Sequence, residues 1–190
     1  MAMLYLVRHG TSIEQSMIRG RLTGFPLNEK GKRQAAALAD FFADRDVTAI
    51  YSSPLQRTYE TAQAIAREKK LNVKMSEQLN EWYAPLWQGK YWSQIKRLQV
   101  LQYALAPTRL NLNGEKLEEV AERMAAFLRT VSTRGTDIVC VSHRDCIIAG
   151  KLKLMGKSLN RLNINQCHTG SVTILDVTEE KTRELGYFEP

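Results

Sequence analysis

Two short apolar runs, each stopping at a histidine, constrain this chain more than any other feature. Leu4 to Val7 gives way to Arg8-His9-Gly10, and Asp137-Ile138-Val139-Cys140-Val141-Ser142 gives way to His143. Neither run alternates apolar with polar residues, so each reads as a strand covered on both faces. Val47 to Ser52 is a further strand, Asn72 to Met75 a short one, and Ser171 to Val177 a final one. Helical patterns stand between them. Ala35, Leu38, Ala39 and Phe42 recur at helical spacing, and a second helix opens at Ser53-Pro54, with the proline in its first turn, and runs to about Lys69. Leu117, Val120, Ala121, Met124, Leu128 and Val131 form a clean helical stripe, and another helix follows His143 to about Met155. Strands alternating with helices predict an α/β fold: a mainly parallel sheet with helices on both faces.

A length of 190 residues suits one domain over 1–190, and 44% hydrophobic with 25% charged residues is ordinary for a globular chain. All three tryptophans fall within Trp82 to Trp92, where the periodicity weakens, so an insertion or lid with some helix is expected at about 82–112. The longest purely apolar runs, Ala35 to Ala39 and Met124 to Leu128, are far below the roughly 18 residues that span a bilayer. No membrane partner is expected. The N-terminal stretch has no basic n-region and too short an apolar core for a secretory leader, which points to the cytoplasm. The net charge of +7 is scattered, without the contiguous basic runs that a nucleic-acid partner would call for, and gives weak support to an anionic substrate. Cys140, Cys146 and Cys167 form no C-x-x-C pair, so neither a disulfide framework nor a cysteine zinc site is expected.

Ligands of open α/β sheets bind off the carboxyl ends of the strands. Three such ends deliver a cationic or titratable group here: Arg8 with His9, Arg57 in the helix after the second strand, and His143. Two guanidinium forks and two imidazoles at helix starts suit a dianionic phosphoryl group, whose oxygens they match in pairs without a metal. Neighbouring positive charge should keep a histidine neutral, as a nucleophile requires. Glu81, beside Trp82, Tyr83 and Trp87, has the apolar surroundings that would let a carboxyl keep its proton near neutrality.

The residues Leu6-Val7-Arg8-His9-Gly10, Pro26-Leu27 with Gly31 and Gln34-Ala35, and Tyr51-Ser52-Ser53-Pro54-Leu55-Gln56-Arg57-Thr58 with Thr61-Ala62 carry a resemblance. So do Leu79-Asn80-Glu81, Trp87-Gln88-Gly89, Gly114-Glu115 and Val141-Ser142-His143. Together they resemble the histidine phosphatase superfamily, the phosphoglycerate mutase-like family, over nearly the whole chain. The resemblance implies the three-layer sandwich of that family, His9 as the phosphorylated nucleophile, Arg8, Arg57 and His143 around the phosphoryl group, Glu81 as proton donor, and no metal or other cofactor.

Several positions depart from the family pattern. Thr11, Ser12 and Gln15 follow R-H-G where an acidic residue, a threonine and an asparagine are common, leaving Ser12 and Gln15 as candidate phosphate contacts. Gly24-Phe25 stands before Pro26-Leu27 where an aspartate is usual, Lys116 where a serine is customary, and Arg144 where a glycine is frequent. Lys116, Arg144, Trp87 and Trp92 are candidate specificity residues; His168 reads as structural, with substrate contact as its alternative. The expected activity is hydrolysis of a small phosphorylated metabolite through a phosphohistidine. A cofactor-dependent phosphoglycerate mutase is the alternative, disfavoured by the short stretch between Glu81 and Gly114, and a non-catalytic phospholigand binder is a further one. A homodimer is left open.

Overall fold

The computed structural model describes residues 3–133, 135–178 and 180–190, so the first two residues of the N-terminal stretch fall outside it. Its strands are β1 (Met3–Arg8), β2 (Val47–Ser52), β3 (Val73–Met75), β4 (Asp137–Ser142), β5 (Val172–Val177) and β6 (Thr182–Phe188). The helices are α1 (Glu29–Phe42), α2 (Gln56–Lys69), α3 (Arg97–Leu105), α4 (Leu117–Ser132) and α5 (Arg144–Leu154). One six-stranded sheet runs in the order β3-β2-β4-β1-β5-β6. β1, β2, β3 and β4 are mutually parallel, while β5 runs antiparallel to β1, and β6, antiparallel to β5, runs in the direction of β1 again.

The unbroken apolar character of the strands has a plain cause. Leu4 and Leu6 of β1 face one side with Ile138 and Cys140 of β4, where Val120, Met124 and Leu128 of α4 and Ile147 of α5 cover them. Tyr5 and Val7 face the other side with Val139 and Val141, under Leu38 and Phe42 of α1 and Ile65 of α2. Alternate residues therefore enter two different cores, and a fully buried aliphatic side chain in either contributes about 1.5–3 kcal/mol. The result is the three-layer α/β sandwich, with a mainly parallel sheet, that the sequence predicts.

Two features differ from the sequence reading, and the helix expected within the insertion is located. α2 begins at Gln56, with Leu55 as its N-cap, so Pro54 lies in the preceding turn. β5 is followed by β6, an edge strand whose Thr-Arg-Glu-Leu pattern is too polar to announce itself. The stretch from Trp82 to Arg109 contributes α3 and two single 3₁₀ turns. Among the described residues no helix is long and apolar enough to cross a membrane.

Candidate active site

β4 lies between β1 and β2, with Arg8 in register with Ser142 and Ser52 with Val141, so three carboxyl ends converge. The loop after β1 is fixed at several points. The Gly10 N–H donates to Thr61 Oγ1 of α2 (3.0 Å), and the Thr11 N–H donates to Gln34 Oε1 of α1 (2.9 Å). Gly10 packs against the first turn of α1, where a Cβ would stand 2.7 Å from the Gly31 carbonyl oxygen. Glycine is required by that approach.

His9 is buried, and its Nδ1–H donates to the Gly10 carbonyl at 2.8 Å. That bond assigns the proton to Nδ1 and leaves the Nε2 lone pair free. Burial, then the charges of Arg57 and Arg8, hold the imidazole well below its ordinary pKa, so it is neutral at pH 7. His143 is also buried, its ring meeting that of His9 edge to face with centroids 5.3 Å apart, and burial and Arg57 keep it neutral. Ser53 Oγ lies 3.0 Å from its Nε2.

Arg57, in the first turn of α2, is wholly enclosed and donates from Nη2 to the Gly20 carbonyl (2.8 Å). Burial lowers its pKa to about 10, which leaves it a cation at neutral pH. Arg8 donates from Nη1 to the Cys167 carbonyl (2.7 Å). The Nε–H donors of both arginines are buried without a protein partner, as expected of groups that await a multiply accepting anion.

Glu81 follows a 3₁₀ turn, Glu77–Leu79, and places Oε2 3.4 Å from His143 Nδ1 and 3.9 Å from Arg57 Nη2. Some 22% of its side-chain surface is open. Burial raises its pKa, and Arg57 opposes the rise without cancelling it. Behind it, the Glu81 carbonyl accepts from Arg21 Nε (2.7 Å) and Arg123 Nη2 (3.2 Å), and the Glu115 carboxylate binds both guanidinium groups.

These groups open onto a cleft of about 200 Å³. Arg8, His9, Arg57 and Glu81 line it, with His143 directly behind Glu81 and Arg57. Gln15, Trp87, Trp92 and Arg144 also line it, whereas Ser12, Lys116 and His168 do not. Ser12 is buried off the cleft lining, its backbone bridged to Leu27 and its hydroxyl without a protein partner. Lys116 is exposed at the start of α4, where its N–H meets Glu119. His168 is 59% exposed and pairs through Nδ1 with Glu189 Oε2 at 2.7 Å.

Trp87 and Trp92 pack edge to face at 5.8 Å, with Tyr103 of α3 5.7 Å from Trp87. Tyr103, Asp145 and Arg19 line the cleft without having been singled out in the sequence. Tyr103 donates to Asp145, which also binds Arg144. No motif marks any of the three, and only the aromatic richness of the insertion hinted at Tyr103. Among the described residues no group of three or more His, Cys, Asp or Glu is arranged to hold a metal ion.

A neutral imidazole with one free nitrogen, two guanidinium groups with unpartnered donors and a carboxyl whose pKa is raised by burial stand together here, an arrangement suited to a phosphoryl group. The chain belongs to the histidine phosphatase superfamily (branch 1), whose family profile matches residues 4–189. It is 33% identical over 198 residues to the uncharacterized protein Rv0525 of Mycobacterium tuberculosis, covering 98% of this chain and 96% of that one. It is 31% identical over 190 residues to phosphoserine phosphatase 1 of Hydrogenobacter thermophilus, covering 95% and 89%. In fold it is similar to the mycobacterial glucosyl-3-phosphoglycerate phosphatase Rv2419c, with a TM-score of 0.88, 24% identity and 97% of each chain covered. The resemblance and the fold class read from the motifs are thereby borne out.

Proposed function

We propose that this enzyme is a metal-independent phosphomonoesterase acting on a small phosphorylated metabolite in two steps. His9 Nε2 attacks phosphorus while Arg8 and Arg57 hold the equatorial oxygens, with His143 behind Arg57 and Glu81. As the P–N bond forms, the bond to the ester oxygen breaks, and Glu81 gives its proton to that oxygen, releasing the alcohol. Glu81, now a carboxylate, takes a proton from water as the water oxygen attacks phosphorus. The P–N bond then breaks, returning neutral His9 and inorganic phosphate.

The observation that carries this reading is the bond from His9 Nδ1 to the Gly10 carbonyl, which commits Nε2 to the cleft as a free base. The phosphoserine phosphatase of Hydrogenobacter, similar over 95% of this chain, supports a phosphatase. Segment 82–112 acts as a cover for the leaving group, a role supported by Trp87 and Trp92 on the cleft wall. The three free thiols suit a reducing cytoplasm.

Phosphate release from a panel of monoesters, with a chelator present and in ¹⁸O-labelled water, tests the reading. Label in the released phosphate and indifference to the chelator support it. Transfer to the hydroxyl of a second substrate without phosphate release contradicts it in favour of a mutase.

A further inference from the structure

Carboxylate side chains are missing from two stretches of the chain. None occurs at 82–114, where Lys90, Lys96, Arg97 and Arg109 stand, and none at 146–175, which includes Lys157 and Arg161. The fold brings parts of these stretches together. Asn163 Nδ2 donates to the Tyr103 carbonyl of α3 at 2.6 Å, and Thr108 Oγ1 donates to Asn160 Oδ1 at 3.0 Å. α3, the 3₁₀ turn Pro107–Arg109 and the 3₁₀ segment Leu159–Ile164 thus adjoin as one surface.

This surface is apolar as well as basic. Leu98, Leu101 and Leu105 recur along α3 at i, i+3 and i+7 and are 75%, 52% and 69% exposed. Ile164, at 73%, lies three residues after Arg161 in the 3₁₀ segment, a spacing that stacks the two side chains along one edge. Lys96, Arg97, Arg109, Lys157 and Arg161 are exposed, and none is in an ion pair among the described residues. By contrast Lys151 and Lys153 of α5 are both paired, with Glu184 and Glu122. Free cations around exposed aliphatic side chains, with no carboxylate among them, call for a partner that is both anionic and apolar.

We propose that this face docks peripherally on an anionic phospholipid surface. The leucines of α3 and Ile164 enter the headgroup boundary while the lysines and arginines around them meet lipid phosphates. Two other occupants fit the surface less well. A second copy of the chain would bring the same cations against these, with no carboxylate to offset them. An acidic protein would need a separate pocket for each aliphatic side chain, since they stand out singly from a convex helix, whereas a fluid lipid surface takes each one as it comes. No spanning helix is involved, so the contact revises the expectation of no membrane partner without requiring a longer apolar run. Tyr103 of the same helix lines the cleft, so docking holds one wall of the cleft at the lipid surface. The contact does not depend on the phosphatase reading.

Co-sedimentation of the full chain with vesicles tests the assignment, using phosphatidylcholine alone against phosphatidylcholine with about 30% phosphatidylglycerol, at about 0.05 M and about 0.5 M salt. Partitioning onto the anionic vesicles should exceed that onto the neutral ones by about 10-fold or more at low salt, and approach it at high salt. Arg97→Glu combined with Arg161→Glu should abolish the preference. Leu98→Ser, Leu101→Ser and Leu105→Ser together should weaken low-salt binding by about 10-fold while leaving the melting temperature unchanged, because the side chains replaced are exposed. Undiminished binding by that triple variant would reduce the effect to the general attraction of a chain of charge +7, and overturns the assignment. So does failure of the unaltered chain to bind anionic vesicles, a result that needs no variant to fold. Self-association in place of vesicle binding would give the face to a second copy, and capture of poly-glutamate with vesicles left unbound would give it to an acidic protein; either contradicts the lipid contact.

Discussion

Arg21 reaches the main-chain carbonyl of Glu81, Nε to O at 2.7 Å, and so fixes the backbone of the proposed proton donor. Arg123 reaches the same carbonyl from the opposite element, and Glu115 joins the two guanidinium groups while accepting the Tyr83 N–H at 3.0 Å. Glu115→Ala should therefore displace Glu81 without touching substrate. We expect a stability loss of about 1–3 kcal/mol in urea unfolding, because two partly buried guanidinium groups lose their carboxylate. The rate should fall on alkyl phosphates and hold on an activated aryl phosphate. Equal loss on both would show that Glu115 supports the fold without positioning the acid.

Arg57 and Glu81 should separate in kinetics. Arg57→Ala removes a fork present in ground and transition states, so KM should rise and kcat fall together, by about 100-fold or more in kcat/KM. Glu81→Gln should slow alkyl phosphates by about 10²–10⁴-fold and largely spare para-nitrophenyl phosphate, whose leaving group needs no proton. A Glu81→Gln defect independent of leaving-group pKa would take the acid role from this residue.

Acid should destabilise the protein through its two buried imidazoles. Both are held well below the ordinary histidine pKa by burial and by Arg57, so as pH falls below about 6.5 the unfolded chain binds protons that the folded chain refuses. Stability is then lost at up to about 1.4 kcal/mol per pH unit for each histidine, until the folded pKa is reached. Glu81 acts in the opposite sense: its raised pKa adds stability on the acid side that is lost as pH rises from about 4.5 through the folded value. Urea midpoints from pH 7.5 to 5.5 should decline, and His143→Asn should flatten the decline. A profile equally steep in that variant would place the titration elsewhere.

Trp87 and Trp92 share one aromatic cluster but differ in exposure, 4% against 43%. Trp87→Ala should cost about 3–5 kcal/mol in stability. Trp92→Ala should cost far less, yet change the order of substrates by kcat/KM. If it lowers the rate on every monoester by one factor, the ring is packing and the selectivity lies with Arg144.

How much of this was legible in the sequence follows from what each residue answers to. β2 and β4 were readable to the residue because both faces of each enter a core, leaving unbroken apolar runs. His9, His143 and Arg57 were readable because strand ends fix where they stand. β6 was not, since an edge strand needs no apolar run, and of α3 only the presence of some helix was, not its bounds, because its Leu98, Leu101 and Leu105 remain exposed. Arg19 and Asp145 escaped because their place depends on tertiary approach: one loop stitched to segment 88–92, one side chain bonded to a tyrosine of α3. Ser12 was expected at the phosphate, and Lys116 at the part of the substrate that sets specificity, from their nearness in sequence to the motifs. Neither lines the cleft: Ser12 is buried off it, and Lys116 is exposed at the start of α4.

The account rests most heavily on the free Nε2 of His9. Brief reaction with a ³²P-labelled monoester, quenched in alkali and followed by peptide mapping, tests it directly. The result expected is a base-stable, acid-labile phosphoryl group on the peptide containing His9, absent from His9→Ala and lost on a chase with unlabelled substrate at the rate of turnover. Label on Ser12, Ser53 or Cys140, or full turnover in His9→Ala, would contradict the covalent-histidine mechanism.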